Sequence, residues 1–156
     1  MQVKEVMSKE VITIKRSTTL KQILKLFAKF HIFPLLPVVE DDGRLVGVVS
    51  LRNLINVFQS GRTDMLKAVP FLDEQEEDIF KIEFSEEVGN LAMAEDIMES
   101  KFTTVEEDTS LEEAYKQMKL HLKEEIPVVD KAGKLVGRLG IFDIIRYIFG
   151  QKGIIK

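Results

Sequence analysis

Apolar positions along the chain fall into two kinds of pattern, and the whole series occurs twice. Leu20, Ile23, Leu24 and Phe27 recur at i, i+3, i+4 and i+7, and Leu111, Ala114, Tyr115 and Met118 repeat that spacing, so each set occupies one face of a helix. A short β-branched segment precedes each helix, Ile12 to Ile14 and Thr103 to Val105, and is suited to a strand. Two apolar runs about a Gly-containing turn follow: Leu36 to Glu40, Asp41-Asp42-Gly43 and Arg44 to Ser50, then Ile126 to Asp130, Lys131-Ala132-Gly133 and Lys134 to Gly140. Each reads as a β-hairpin, with Pro37 and Pro127 near strand starts, where a missing N–H is tolerated. Closing helices are expected over Leu51 to Phe58 and Ile141 to Phe149. Thr109 with Glu112 three residues on predicts a capping box, while the first copy keeps Thr18 but has Lys21 at the matching place.

The register of the repeat is tight. Val6-Met7 returns as Ile97-Met98, Thr13 as Thr104, Thr18 as Thr109 and Leu20 as Leu111, all 91 residues apart. From the hairpin onward the separation is 90, since Pro37-Val38-Val39 answers Pro127-Val128-Val129 and Gly47 answers Gly137. A β-α-β-β-α unit of about fifty residues buries too little surface alone, so the two copies are expected to pack sheet against sheet about a pseudo-two-fold axis. The predicted fold class is therefore α/β, of the α+β type. The expected divisions are a first repeat over residues 1–59, an acidic insert over 60–93 and a second repeat over 94–156.

Composition narrows the class. With 45% hydrophobic and 31% charged residues, 156 residues can bury a real core. No Cys is present, which removes thiolate nucleophiles and thiolate metal sites. The start Met1-Gln2-Val3-Lys4-Glu5 lacks a secretory signal pattern and no segment is long and apolar enough for a membrane span, so a cytoplasmic location is expected. The net charge of −4 is uneven: Asp73 to Asp96 holds ten acids against Lys81, leaving +5 elsewhere. Within the insert, Phe80, Ile82 and Phe84 alternate as a strand does, as a short extended piece packing on its own domain or as an edge that a partner or second subunit completes. His31 and His121 occupy equivalent places, but two His without Cys make a poor metal site, and none is expected.

The segments Gly47-Val48-Val49-Ser50-Leu51-Arg52-Asn53 and Gly137-Arg138-Leu139-Gly140-Ile141-Phe142-Asp143 follow the Pro-Val-Val strands at matching places. In that order of elements they resemble the Gly-x-x-Ser/Thr-x-x-Asp ending of the CBS domain, and the two copies resemble a CBS pair, or Bateman module, over about residues 3 to 58 and 94 to 149. The resemblance implies a regulatory module that takes AMP, ATP, S-adenosylmethionine or a related adenosyl compound in the cleft between its repeats. A hydroxyl at a strand end entering a helix offers itself and free N–H groups to phosphate, and a carboxylate one turn on accepts ribose hydroxyls. Asp143 is the better diol acceptor, because Asn53 has one carbonyl; Ser50 keeps the hydroxyl that Gly140 has lost. Asp143 and Ser50 also suit simple helix capping. The candidate ligand-binding set is Asp143, Gly140, Thr104, Arg138, Ser50, Asn53 and Thr13, with no catalytic residue.

Lys123-Glu124-Glu125 precedes the second Pro-Val strand, where relatives that take nucleotides often carry a basic residue. A carboxylate 4 to 6 Å from a phosphate would cost about 3 to 4 kcal/mol, which would favour neutral adenosine or a sulfonium unless Arg138, Lys101, Lys123, Arg44 or Arg52 reaches in. The expected partners are the adenosyl ligand, a second copy in a homodimer and an effector protein, with no required cofactor and no nucleic acid. The alternative is a structural dimerisation module with empty clefts. An enzyme is not expected, since there is no Ser-His-Asp order and no Gly-rich phosphate loop.

Overall fold

The computed structural model describes residues 1–29, 35–55 and 86–154. Phe30, His31 and Phe33, and the acidic stretch from Asp73 to Glu83 with the Phe80, Ile82 and Phe84 alternation, lie outside the described residues. A short 3-10 helix, Val3–Glu5, leads into α1 (Leu20–Ala28), β1 (Leu35–Val39), β2 (Leu45–Ser50) and a helix α2 described over 51–55. After α3 (Glu86–Leu91), which packs on α1, the series returns as α4 (Ala94–Ile97), β3 (Val105–Glu106), α5 (Leu111–Leu120), β4 (Glu125–Val129), β5 (Leu135–Gly140) and α6 (Ile141–Gln151).

Both hairpins are antiparallel and match position for position. Pro37 faces Val48 and Val38 faces Gly47 in the first; Pro127 faces Arg138 and Val128 faces Gly137 in the second. Each carries an irregularity at the same place, between Val38 and Val39 and between Val128 and Val129. Gly43 and Gly133 close the turns at φ +90° and +81°, a region costly for a side chain. The tips pair about the pseudo-two-fold axis: Leu45 N–H donates to the Gly133 carbonyl and Leu135 N–H to that of Gly43, each at 3.0 Å.

The strands expected ahead of each first helix are shorter than their β-branched runs. Only Ile14 bridges Val38, and only Val105 and Glu106 pair with β4, both in parallel. In the first repeat the chain turns at once, with Lys15 N–H donating to Thr18 Oγ1 at 2.9 Å.

The caps also move by one residue. Thr19, not Thr18, caps α1, in a full box with Gln22; Ser110, not Thr109, caps α5, accepting from Glu113 N–H. The physical cause is that the carbonyls of Thr18 and Thr109 are taken by Ala94 N–H (2.8 Å) and Val3 N–H (2.9 Å), so the first helical N–H groups bond instead to the carbonyls of Thr19 and Ser110. Tyr115, expected on the apolar face of α5, is 43% exposed at its edge, while Leu111, Ala114 and Met118 are buried.

Those two hydrogen bonds belong to a larger exchange. Val3, fully buried, sits in the core of the second repeat with Leu111, Ala114, Met118, Ile126, Val128 and Leu139, and Val6 and Met7 pack on it. Ala94, equally buried, sits in the core of the first with Leu20, Ile23, Leu36, Val38 and Val49, joined by Ile97 and Met98. Each leading segment therefore completes the other repeat's core. The segments are pinned by reciprocal backbone pairs, Ser8 with Arg138 and Glu99 with Val48. Gly47 and Gly137 permit this approach: a Cβ on Gly47 would lie 2.5 Å from Met98 Sδ, and one on Gly137 2.7 Å from the Ser8 carbonyl oxygen.

Candidate functional site

Each hairpin's second strand runs directly into a helix, so its last residue and the residue three places on meet at a helix N-terminus, where N–H groups lack helical partners. In the first repeat the Asn53 carbonyl oxygen accepts from Ser50 N–H (2.8 Å) and Ser50 Oγ (2.7 Å), and Asn53 N–H donates back to Ser50 Oγ at 3.1 Å. In the second, Asp143 Oδ2 accepts from Gly140 N–H at 2.8 Å. Asn53 and Asp143 thus adopt one pose and both serve as caps.

Their free arms differ. Asn53, 8% exposed, uses Nδ2 to donate to Glu99 Oε1 at 2.8 Å, reaching the exchanged segment. Asp143 Oδ1 accepts from Arg146 Nη2 at 2.5 Å within its own helix, and Arg146 is largely exposed. The Arg146 side of this pair is exposed to solvent while the Asp143 carboxylate is largely covered. Freeing Asn53 breaks a bond between the repeats.

A cavity of about 40 Å³ opens between the two repeats. Leu35, Val48 and Ser50 line it from one side, and Glu99, Phe102, Thr103, Lys123 and Glu125 from the other. Ligand pockets usually hold about 300 to 1,000 Å³, so as it stands this cavity is smaller than an adenosyl group needs. Of the candidate residues, Ser50 lines this cavity and Asn53 adjoins it through Glu99. Thr104 is half-buried beside it, with its neighbour Thr103 in the wall. Thr13 is exposed on a separate open groove along α1, with Thr18, Gln22 and Lys25. His121 is the exposed C-cap residue of α5.

The charge of the cleft is mixed rather than uniformly acidic. Glu125 does face it, but Arg138 Nη1 lies 3.3 Å from Glu125 Oε1, and Lys123 shares the wall. Arg138 also donates through Nε to the Glu10 carbonyl at 3.1 Å. Burial pushes the Glu125 carboxyl above its ordinary range; Arg138 opposes that, and the negative charge of Asp143 adds to it. The expected repulsion of phosphate by Glu125 is accordingly offset by two nearby cations. Glu124 is exposed at its side chain and gives its backbone carbonyl to Ile141 N–H at 2.8 Å.

Sequence reading missed Glu99 and Phe102, because nothing in their local spacing ties residues 99 and 102 to Ser50 and Asn53, over 45 positions away. The signal that was available is the 91-residue repeat, which puts Glu99 opposite Ser8 in segments without a motif of their own.

Comparison with known proteins follows from this geometry. A CBS domain-containing protein of Dictyostelium discoideum is 34% identical over 143 residues, covering 92% of this chain and 88% of that protein. The crystal structure of CBSX2 in complex with AMP aligns with a TM-score of 0.72 at 24% identity, over 97% of this chain and 98% of its own. The CBS domain pair of protein MJ0100, in complex with 5′-methylthioadenosine and S-adenosyl-L-methionine, aligns with a TM-score of 0.67 at 22% identity, over 97% and 98%. The CBS domain profile matches twice, at residues 3–60 and 94–150, and on that double match this chain belongs to the CBS domain family, as a tandem pair.

Proposed function

We propose that this chain is a regulatory module, not a catalyst, that senses an adenosine-containing ligand between its two repeats and signals to a partner. The observation that carries the reading is the inter-repeat cavity bounded by Ser50, Thr103, Lys123, Glu99 and Glu125, beside the helix ends that hold Asn53 and Asp143. Support comes from two similarly folded pairs, one solved with AMP and one with 5′-methylthioadenosine and S-adenosyl-L-methionine. The mixed charge of the cleft suits either a phosphorylated or an uncharged adenosyl compound, so the class proposed spans S-adenosylmethionine, methylthioadenosine, AMP and ATP.

The mechanism follows from size. A ligand entering a 40 Å³ space must enlarge it, and the strands that line it also carry the exchanged segments. Binding therefore favours one packing of the repeats over another, and only differential affinity for the two packings moves the equilibrium. The proposed site residues are Ser50, Asn53 and Thr104 about this cavity and Asp143, Gly140 and Arg138 at the second helix mouth; Thr13, on the groove along α1, stands apart from both. Homodimerisation is part of the proposal: Phe142, Ile145 and Phe149 stand exposed on one face of α6.

Thermal unfolding with AMP, ADP, ATP, NAD, adenosine, S-adenosylmethionine and methylthioadenosine tests the reading. A ligand at a hundredfold excess over Kd adds about 2.7 kcal/mol and raises the midpoint by several degrees. No shift with any of them, in a folded chain, would sink it and leave ligand-independent dimerisation, read by sedimentation, as the function.

A further inference from the structure

Asn53 stands where the motif of the second repeat has Asp143, so the first cleft lacks a carboxylate of its own on the closing helix. The fold supplies one from elsewhere. Glu99 arrives on the exchanged segment, its backbone fixed by reciprocal pairing with Val48, N–H to carbonyl at 2.9 and 3.1 Å. Its Oε1 accepts from Asn53 Nδ2 at 2.8 Å, and its side chain lines the cavity beside Ser50. Among the described residues Oε2 takes no hydrogen bond and Glu99 makes no ion pair.

We propose that Glu99 is the sugar-diol acceptor of the first cleft, replacing in space the carboxylate that Asn53 lacks in sequence; this rests on the adenosyl reading above. An ionised carboxylate with one oxygen anchored and the other open can accept both ribose hydroxyls, or one hydroxyl while Asn53 keeps its hold on the other oxygen. Asn53 is then a positioning residue, and its amide aims Glu99 into the cavity. The assignment also makes the two clefts unlike. A ligand in the first engages a carboxylate of the exchanged segment and so bridges the repeats directly, whereas the Asp143 carboxylate belongs to the closing helix of its own repeat.

The test is calorimetric titration of the full chain with adenosine and with 2′,3′-dideoxyadenosine, which lacks both diol hydroxyls, for the unaltered protein, Glu99→Gln and Asp143→Asn. Glu99→Gln keeps an oxygen for Asn53 and preserves the fold, but exchanges a charged acceptor for a neutral one. The expected result is about tenfold weaker adenosine binding at one class of site, with 2′,3′-dideoxyadenosine affinity there unchanged and the Asp143→Asn variant retaining that site. An equal loss for both nucleosides would mean that Glu99 acts by charge or packing alone, and would overturn the assignment. So would unchanged adenosine binding in Glu99→Gln, and either result leaves the adenosyl reading standing. An unaltered chain that binds neither nucleoside nor any compound of the thermal series overturns both.

Discussion

The two hairpin glycines predict an asymmetry in stability that follows from what each faces. A methyl group at Gly137 would lie 2.7 Å from the Ser8 carbonyl oxygen and 2.8 Å from Met7 Sδ; at Gly47 the nearest atoms are Met98 Sδ at 2.5 Å and Cγ at 2.9 Å, with the Glu99 carbonyl at 3.1 Å. A thioether swings aside on three rotatable bonds, but the Ser8 backbone cannot retreat without straining its two 2.9 Å hydrogen bonds to Arg138. Overpacking costs about 1 to 3 kcal/mol and each weakened backbone bond about 1, while Gly→Ala returns about 0.4 to 1 by restricting the unfolded chain. Gly137→Ala should therefore lose about 2 to 3 kcal/mol and Gly47→Ala less than about 1. In urea, with a slope near 2 kcal/mol per molar, Gly137→Ala moves the midpoint by about 1 M and Gly47→Ala by a fraction of that. Met98→Ala should relieve Gly47→Ala in a double-mutant cycle, and Met7→Ala should leave most of the Gly137→Ala cost in place. Equal midpoints for the two glycine variants, or relief of Gly137→Ala by Met7→Ala, would refute the argument that backbone contact with the exchanged segment sets the cost.

Two further outcomes are expected. Val3→Ala removes two buried methyl groups from the far repeat's core and should cost about 2 kcal/mol, with hydrogen exchange quickening in α5 and β4 before α1; exchange that quickens first in α1 would contradict the exchanged packing. Glu125 binds its proton more tightly in the folded chain than in the unfolded one, because burial outweighs Arg138, so its contribution is full at acid pH and is lost as pH rises through the raised folded value. Glu125→Gln should then gain stability relative to the unaltered chain as pH climbs from the carboxylate range to neutrality, and parallel urea-stability curves against pH would rule this out.

The order of elements and the hairpin turns were legible before any coordinates, because they depend on contacts a few residues apart. Leu20, Ile23, Leu111, Ala114 and Met118 are buried on the helix faces their spacing defines, and Gly43 and Gly133 turn the hairpins where the apolar runs break. The caps show where local reading stops. Thr18 and Thr19, like Thr109 and Ser110, are chemically equivalent N-cap candidates, and only the hydrogen bonds from Ala94 and Val3 choose between them.

The site was legible to the same limit. The pattern around Ser50, Asn53, Gly140 and Asp143 marked two helix N-termini, and those four residues do cap them or stand at them. Their free arms, Glu99 for Asn53 and Arg146 for Asp143, and the pairing of Arg138 with Glu125, were not marked. By itself the sequence determined two copies of one β-α-β-β-α unit and the residues at each helix mouth. Which copy each leading segment completes, and which charges meet in the cleft, was decided only by the tertiary fold: periodicity records the face a residue presents, while the partner on that face is set by chain crossings between residues far apart in the sequence, such as Val3 with Thr109 and Val48 with Glu99.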